Sequence, residues 1–312
     1  HRFESCRRSF EGPDHAVWAL FRSRPRRGSG LEQPGAPDDP QPSRVMTRAA
    51  VLGGLLLVLS ACGGSGLEDG RTELSIFAAS SLTDAFTAVE AAFEAANPDV
   101  DVVSSFSGSQ VLRLQIEQGA RAHVFASANE DHARSLAASG LAAPPELLAY
   151  NHLVVIVPPD NPAGIETLAD LASASRLVVA SRTVPLGRYT HGMLERAGAP
   201  ESRYGPEFLQ DVRGAIVSEE NNARLVRAKV ELGEADAAIV YRTDAISSDR
   251  VRAIGLPDRL NFPARYAVTP LLDENGEVDA AAERFVRFLR SEEGRALLRE
   301  YGFVTEVDLE SR

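Results

Sequence analysis

Cysteine and long apolar runs are both scarce in this chain. Of its 312 residues only Cys6 and Cys62 are cysteines, so the sequence downstream of Cys62 cannot form an internal disulfide. The apolar run at residues 49–61 is 13 residues long. That is too short to span a bilayer comfortably as a helix.

Positive charge is also scarce once the first part of the chain is set aside. Residues 1–61 carry 9 Lys+Arg and 6 Asp+Glu, so the remainder carries 24 basic and 38 acidic residues, a net charge of about −14. Such an acidic surface argues against nucleic acid as a partner. It also requires that any bound anion be held by local hydrogen-bond donors, against the overall field.

The first 72 residues predict an export segment. We interpret residues 1–45, which are rich in Arg, Pro, Gly and Ser, as a disordered, non-native extension upstream of Met46. Residues 46–61 resemble a secretory signal peptide. The run ends in Leu-Ser-Ala-Cys, which resembles the bacterial lipobox and predicts lipidation of Cys62; a plain signal peptide and a buried helix are the alternatives. Residues 62–72 are then a flexible tether.

Strand and helix patterns alternate from residue 73 to the end of the chain. These 240 residues are enough for one large or two smaller domains. Continuous apolar runs such as residues 152–157 are typical of strands buried on both faces. Helical spacing of apolar residues follows several of them, as in residues 82–96. The alternation favours a largely parallel α/β architecture.

Four strand-to-helix junctions carry small hydroxyl or amide residues, at residues 77–86, 101–110, 181–189 and 218–223. Serine and asparagine cap helices there, and the helix start offers free N–H groups and the positive end of its dipole to an anion. One junction is weak evidence, because capping alone explains it. Four in one chain predict an anion-binding site.

Six motifs occur in a fixed order between residues 73 and 303. They are Phe-Ala-Ala-Ser-Ser-Leu-Thr-Asp-Ala-Phe (77–86), Val-Val-Ser-Ser-Phe-Ser-Gly-Ser (102–109), Val-Pro-Leu-Gly-Arg-Tyr (184–189), Asn-Asn-Ala-Arg (221–224), Lys-Val-Glu-Leu-Gly-Glu-Ala-Asp-Ala-Ala-Ile-Val-Tyr (229–241) and Arg-Glu-Tyr-Gly-Phe (299–303). Together they resemble the periplasmic molybdate-binding proteins of ABC transporters, the ModA type.

The resemblance implies an α/β, two-lobed periplasmic-binding-protein type II fold. Each lobe is expected to be a mostly parallel sheet flanked by helices, with the ligand cleft between the lobes. Residues 73–151 and 271–312 would form lobe 1, and residues 152–270 lobe 2. The lobes are expected to close about hinges near Tyr150–Asn151 and Val268–Pro270.

The resemblance also implies how a tetrahedral oxyanion is held. In the family, two serines of lobe 1, two backbone amides at helix starts of lobe 2 and one tyrosine hydroxyl contact the anion. Carried onto this chain, these groups are Ser81, Ser109, the amides of Leu186 and Ala223, and Tyr241. The neighbouring Ser80 and Ser107 are interpreted as structural, and Arg188 and Arg224 as surface or packing residues.

Three positions depart from the family pattern. Leu186 replaces a smaller residue and Ala223 a valine, but a backbone amide survives any side chain except proline. His123 stands where the family often has Asp, which affects a local contact and not the fold. Residues 211–213, Asp-Val-Arg, are a rival for the second amide, and the spacing to Tyr241 favours Ala223 over them.

Every group in this predicted site is a neutral hydrogen-bond donor. A fully deprotonated dianion needs donors only. Hydrogen bonds to a charged group contribute roughly 1.5–3 kcal/mol each, so five would give on the order of 10 kcal/mol before the costs of closure. Phosphate that carries a proton would want an acceptor, whereas sulfate differs mainly in size. The predicted ligand is molybdate or tungstate, and no cofactor is expected.

The sequence therefore predicts a solute-binding protein and not an enzyme. It would be a monomer outside the cytoplasmic membrane, anchored by lipid at Cys62, that hands its oxyanion to an ABC permease and its ATPase. Another solute, sulfate or ferric iron, is an alternative, although iron binders of this fold pair tyrosines and Arg242 follows Tyr241. A serine hydrolase using Ser81 or Ser109 is a third; no Gly-x-Ser-x-Gly elbow or placed histidine base supports it. The histidines His132, His152 and His191 lack metal-ligand spacing.

Overall fold

The computed structural model describes residues 70–306 and 308. The predicted extension, signal peptide and lipidation site at Cys62 lie outside the described residues, as does most of the tether. No helix in the described part of the chain is long and apolar enough to cross a membrane.

Strands and helices alternate as the sequence patterns predict. The strands are β1 (Thr72–Ala79), β2 (Val100–Ser107), β3 (Val124–Ser127), β4 (Glu146–Asn151), β5 (Leu153–Val157), β6 (Leu177–Ala180), β7 (Ile216–Glu220), β8 (Ala237–Tyr241), β9 (Arg252–Gly255) and β10 (Ala264–Pro270). The helices are α1 (Thr83–Ala96), α2 (Ser109–Glu117), α3 (Glu130–Ala138), α4 (Pro185–Ala197), α5 (Gly205–Ala215), α6 (Ala223–Glu231), α7 (Arg242–Ile246), α8 (Ala280–Leu289) and α9 (Glu292–Glu300), with short 3-10 helices at Ser80–Leu82 and Leu168–Ser173.

The strands form two five-stranded sheets within the described residues. The first has the order β2-β1-β3-β10-β4 and the second the order β7-β6-β8-β5-β9. In the first, β1 pairs in parallel with β2 and β3, and β10 runs antiparallel to β3 and β4. In the second, β6 is parallel to β7 and β8, and β5 is antiparallel to β8 and β9. The α/β class with mostly parallel sheets is thus confirmed: in each sheet four of the five strands run in the same direction, and the one opposed strand is β10 in the first sheet and β5 in the second.

The chain passes between the two sheets twice. It leaves the first sheet after Asn151 and enters the second at Leu153, and it returns between Gly255 and Ala264. Asn261 joins the two passages: its side-chain oxygen accepts from the Leu153 amide at 2.9 Å, and its side-chain nitrogen donates to the Leu153 carbonyl at 2.9 Å. The passages therefore run side by side.

The predicted boundary at residue 270 does not agree with this strand pairing. Because β10 pairs with β3 and β4, residues 264–270 belong to the first sheet. The first predicted hinge, Tyr150–Asn151, is the end of β4, directly before the passage into the second sheet. The second, Val268–Pro270, lies inside β10, and the return passage is earlier, at residues 256–263.

Helix α1 shows how the apolar periodicity produces the packing. Phe86, Val89 and Phe93 are fully buried or nearly so. The rings of Phe86 and Phe93 pack edge-on against Phe285 of α8, at centroid distances of 6.1 and 5.1 Å. Burying one such side chain contributes about 1.5–3 kcal/mol. These buried apolar side chains hold α1 on the first sheet and so fix the position of its first turn.

Candidate functional site

The four predicted junctions meet at one narrow cavity. Its empty volume is about 200 Å³, including the part that is open to solvent. Its lining comes from the ends of both sheets and the first turns of the helices that follow: Ala79, Ser80, Ser81, Ser107, Gly108, Ser109, Ala128, Val184, Pro185, Leu186, Asn222, Ala223 and Tyr241. None of these side chains is charged. The four junctions thus line one cavity, and its use as an anion-binding site stays a prediction.

All five residues that the sequence predicts as ligand contacts line this cavity. Ser81 lies in the 3-10 helix after β1, and Ser109 is the first residue of α2. Leu186 and Ala223 lie in the first turns of α4 and α6, and Tyr241 ends β8. The rival amide at Val212 lies inside α5 and is not part of the lining. Their contact with a ligand stays a prediction.

The oxygen of each predicted serine already takes part in a hydrogen bond within the protein. The Ser109 hydroxyl oxygen accepts from the backbone amide of Ala128 at 3.1 Å. The Ser81 hydroxyl lies 2.7 Å from the Tyr266 hydroxyl. Because Ala128 N–H can only donate, the proton of Ser109 remains available to a group in the cavity.

Two of the helices that begin at the cavity start with backbone N–H groups that have no partner in the helix. The side chain of Asn222 caps α6 by accepting from Leu225 N at 3.0 Å, so the capping bond does not use the Ala223 amide. In α4, Pro185 is the first helical residue and has no N–H, so Leu186 supplies the first one. The first N–H groups of a helix have no partner within it. Both amides can therefore donate to an anion.

Helix α4 reaches this position by a close approach at Gly187. A Cβ there would lie 1.9 Å from the carbonyl oxygen of Ser181, in the loop that follows β6. Any larger residue would push the start of α4 away from that loop. The glycine of the Val-Pro-Leu-Gly motif thus places the Leu186 amide.

Tyr241 is a buried, neutral hydroxyl. Burial is the main cause that raises the pKa of Tyr241 well above its usual value, and the nearby Tyr266 and Tyr189 add to the shift. Among the described residues its hydroxyl has no hydrogen-bond partner of normal geometry, although the rings of Tyr241 and Tyr266 pack edge-on at 5.5 Å. A buried hydroxyl without a partner loses free energy, and an acceptor in the cavity would restore it.

Contacts between the two sheets surround the cavity. Arg224 of α6 donates to the Ser80 carbonyl oxygen at 3.2 Å and to the carboxylate of Asp84 in α1. On the other side, Gln110 of α2 donates to the Asn221 carbonyl oxygen at 2.8 Å. The expectation that Arg224 only packs a helix is therefore incomplete, because it joins the two walls beside Ser81.

A second pair of contacts joins the two sides farther from the cavity. The guanidinium group of Arg188 lies 2.7 Å from the carboxylate of Asp131. The Tyr189 hydroxyl accepts from the Arg265 amide at 3.1 Å. Each of these contacts links α4 with α3 or β10 and has to break if the sheets move apart.

Asp244, in α7, is a buried carboxyl beneath Arg224. Burial raises its pKa from 3.8 to about 6, opposed by the charges of Arg224 and Arg227 and assisted by Asp84. Arg224 Nε is 3.7 Å away. Because the pKa is higher in the folded protein than in the unfolded chain, the folded state binds more protons between pH 3.8 and about 6. Ionisation of Asp244 therefore lowers the free energy of unfolding. The loss is complete above about pH 6 and absent below pH 3.8.

The histidines take structural positions. His123 accepts from the Ser75 amide through Nδ1 at 2.9 Å, beside the β1–β3 pairing, and does not line the cavity. Burial, with Arg113 and Arg188 nearby, lowers the pKa of His132 to about 4. Among the described residues no group of three or more His, Cys, Asp or Glu side chains could hold a metal ion.

Comparison with known proteins gives the class to which this cavity and fold belong. The family model of the bacterial extracellular solute-binding proteins matches residues 74–304. The chain belongs to that family. Its members bind solutes outside the cytoplasm and are not enzymes, so the predictions of an exported binding protein without catalytic activity are confirmed.

The similarity extends to individual relatives. The chain is 34% identical to the molybdate-binding protein ModA of Mycobacterium tuberculosis over 259 residues, which is 80% of this chain and 94% of the relative. It is 31% identical to ModA of Escherichia coli over 263 residues, 80% of this chain and 95% of the relative. The predicted resemblance to the ModA type is thereby confirmed.

A solved structure supports the fold. The periplasmic molybdate-binding protein of Azotobacter vinelandii superposes with a TM-score of 0.61 at 20% identity, over 74% of this chain and 98% of that chain. At this identity the likeness concerns the fold alone. It confirms the predicted periplasmic-binding-protein architecture.

Proposed function

We propose that this protein binds molybdate or tungstate in the cavity between its two sheets and delivers the anion to an ABC permease with its ATPase. The observation that carries the proposal is the donor set: Ser81, Ser109, Tyr241 and the amides of Leu186 and Ala223 line one cavity. The names of the relatives agree with this ligand class. The anion would be the cargo, and no cofactor takes part.

The donor set fits a fully deprotonated tetrahedral dianion. Two hydroxyls come from the first-sheet side of the cavity, and two amides and one hydroxyl come from the second-sheet side. An anion between them would accept hydrogen bonds from both sides. The cavity is lined without a carboxylate, and an anion there meets no repelling charge in the lining. Two helix starts of α4 and α6 add their dipoles. Neutral donors and dipoles can thus hold the anion within an acidic protein.

The two sheets serve as lobes in this proposal. Residues 70–151 and 264–306 would form one lobe, and residues 152–263 the other, with the two side-by-side passages as the hinge. Lipidation of Cys62 would keep the protein, as a monomer, at the outer face of the membrane. A Cys62→Ser variant should leave the membrane fraction of cells for the soluble exported fraction, and unchanged membrane retention would reject the anchor.

Calorimetric titration with molybdate, tungstate and sulfate side by side tests the ligand. Molybdate and tungstate should bind, and at 100 times the Kd the ligand should raise the free energy of unfolding by about 2.7 kcal/mol. Sulfate should bind more weakly, if the cavity is matched to the larger anions. A melting temperature that does not move in millimolar molybdate or tungstate would reject the proposal.

Serine variants test the site itself. Ser81→Ala and Ser109→Ala should each weaken molybdate binding by about 10- to 100-fold, because each removes one hydrogen bond to a charged group. Ser135→Ala is the matched control, since the Ser135 hydroxyl donates to a carbonyl of its own helix on the surface. Equal affinities in all three variants would place the ligand elsewhere.

A further inference from the structure

Two buried side chains outside the cavity lining decide which way the Ser81 hydroxyl points. The Tyr266 hydroxyl lies 2.7 Å from the Ser81 hydroxyl and 3.4 Å from the Asn151 side-chain nitrogen. Tyr266 is fully buried, Asn151 is 1% exposed and Ser81 is 5% exposed. The three groups form a row that ends at the cavity.

The orientation of the Asn151 amide is fixed by its neighbours. Its oxygen accepts from the backbone N–H of His152 at 2.9 Å, a group that can only donate. Its nitrogen therefore faces Thr243, whose hydroxyl oxygen it contacts at 2.9 Å, and Tyr266. Asn151 donates to both hydroxyls and accepts from neither.

The direction of the remaining bond follows from this orientation. Of the hydrogen bonds that the described residues make with the Tyr266 hydroxyl, one comes from the Asn151 nitrogen, which cannot accept a proton. The other partner is Ser81, whose oxygen is the one acceptor of normal hydrogen-bond geometry that the described residues offer to the buried Tyr266 proton. The Tyr241 hydroxyl lies nearby but makes no hydrogen bond of normal geometry. A buried proton without an acceptor would lose free energy. Tyr266 thus donates to Ser81, and the proton of Ser81 turns to the cavity.

We propose that Asn151 and Tyr266 are positioning residues that fix Ser81 as a donor and make the cavity select oxyanions that carry no proton. The inference rests on the proposed function, because it assigns the specificity of the same cavity. Without this row, Ser81 could rotate and accept a proton from a ligand such as hydrogen phosphate or hydrogen arsenate. With it, a protonated oxyanion meets a second proton at Ser81.

Hydrogen arsenate is the matched probe for this selection. At mildly alkaline pH it is a tetrahedral dianion like molybdate but carries one proton. In the unaltered protein molybdate should bind far more tightly. In Tyr266→Phe the Ser81 oxygen no longer accepts a hydrogen bond from residue 266, so the Ser81 hydroxyl can rotate. The ratio of the molybdate affinity to the hydrogen arsenate affinity should therefore fall by about tenfold.

Asn151→Asp should reverse the direction of the hydrogen bonds along Asn151, Tyr266 and Ser81, and it gives a stronger test. The carboxylate accepts where the amide donated, so the Tyr266 proton turns to it and Ser81 has to donate to Tyr266. Ser81 then presents a lone pair to the cavity. Molybdate affinity should fall by about 100-fold, and hydrogen arsenate should lose less or gain. Thr243 can rotate to donate to the new carboxylate, which limits the damage to the fold.

The outcomes separate this inference from the proposed function. Tyr204→Phe is the control, because the Tyr204 hydroxyl contacts Arg203 on the surface and not the cavity; its affinity ratio should be unchanged. If both variants weaken molybdate and hydrogen arsenate by the same factor, or change neither, Asn151 and Tyr266 are only structural and the inference is overturned. If the unaltered protein does not bind molybdate at all, the proposed function fails first.

Discussion

Gly108 is a position where one added methyl group should stop the two sheets from closing on a ligand. It precedes Ser109 at the start of α2, with φ −66° and ψ 134°, a conformation that alanine adopts freely. A Cβ there would lie 2.4 Å from the Asn221 carbonyl oxygen on the other wall, closer than the 3.0 Å that real Cβ atoms keep. In Gly108→Ala the walls must therefore separate by at least about 0.6 Å.

A separation of that size would lengthen every hydrogen bond between the anion and the donors on the second wall, which is the second-sheet side of the cavity. Bonds near 2.8 Å would stretch to the limit of about 3.4 Å, where they weaken steeply. Three donors lie on that wall, the Leu186 and Ala223 amides and the Tyr241 hydroxyl, each contributing about 1.5–3 kcal/mol. Losing half of this gives about 2–4 kcal/mol, so we expect Gly108→Ala to raise the Kd for molybdate by about 30- to 1,000-fold.

Calorimetric titration measures this loss, and thermal unfolding without ligand shows whether the fold is intact. Gly214→Ala in α5 is the matched control, because a Cβ there meets no atom within 4 Å; its affinity should be unaltered. Both variants should melt near the parent temperature without ligand. A Gly108→Ala protein that binds molybdate as tightly as the control would refute the idea that the walls must meet at this contact.

Three further changes test other parts of the site. Ala223→Pro removes one amide N–H at a helix position that favours proline, so molybdate affinity should fall by at least about tenfold. The control Ala223→Val keeps the amide and should bind molybdate like the parent protein. Equal molybdate affinity in the two variants would exclude this amide as a ligand contact. Asp84→Asn breaks the partly exposed pair with Arg224, so the Kd should rise by no more than about fivefold, while Asp99→Asn, which breaks a pair on the first-sheet side alone, should change nothing. Asp244→Asn should raise the free energy of unfolding by up to about 3 kcal/mol at neutral pH and by almost nothing near pH 3, where the carboxyl is neutral in both the folded and the unfolded chain. Denaturant unfolding at both pH values measures this, and a gain that does not depend on pH would contradict the assigned pKa.

The sequence is informative where the chemistry is local. A small hydroxyl or amide residue beside an apolar run marks a strand-to-helix junction within ten residues, and all four junctions lie where the patterns place them. The expectation that the serines cap the helices is wrong, because Asn222 alone among these four junctions makes a side-chain cap. Their convergence follows from the parallel pairing of β1 with β2 and of β6 with β7, which brings the ends of neighbouring strands to one edge. The predicted cavity residues are therefore found together.

The sequence is silent where distant segments meet. Tyr266 and Ser81 are 185 residues apart in the chain, and nothing in the pattern around Tyr266 distinguishes it from a core residue. Strand β10 is visible as an apolar run, but its partner sheet is not, and this led to the wrong boundary at residue 270. The short strands β4 and β9 and helices α5 and α7 were not predicted, because pairing and packing stabilise them more than their own residues do.

The two hydrogen bonds between Asn261 and Leu153 have a mechanical consequence. Two passages joined side by side can bend together about one axis, and the bonds at Leu153 oppose the sliding of one passage along the other. Opening would then be a rotation about a single axis, in which the Leu186, Ala223 and Tyr241 donors withdraw from the anion as one rigid wall. Release to a transporter would accordingly occur in one step, without an intermediate in which the anion keeps some of its hydrogen bonds to these three donors.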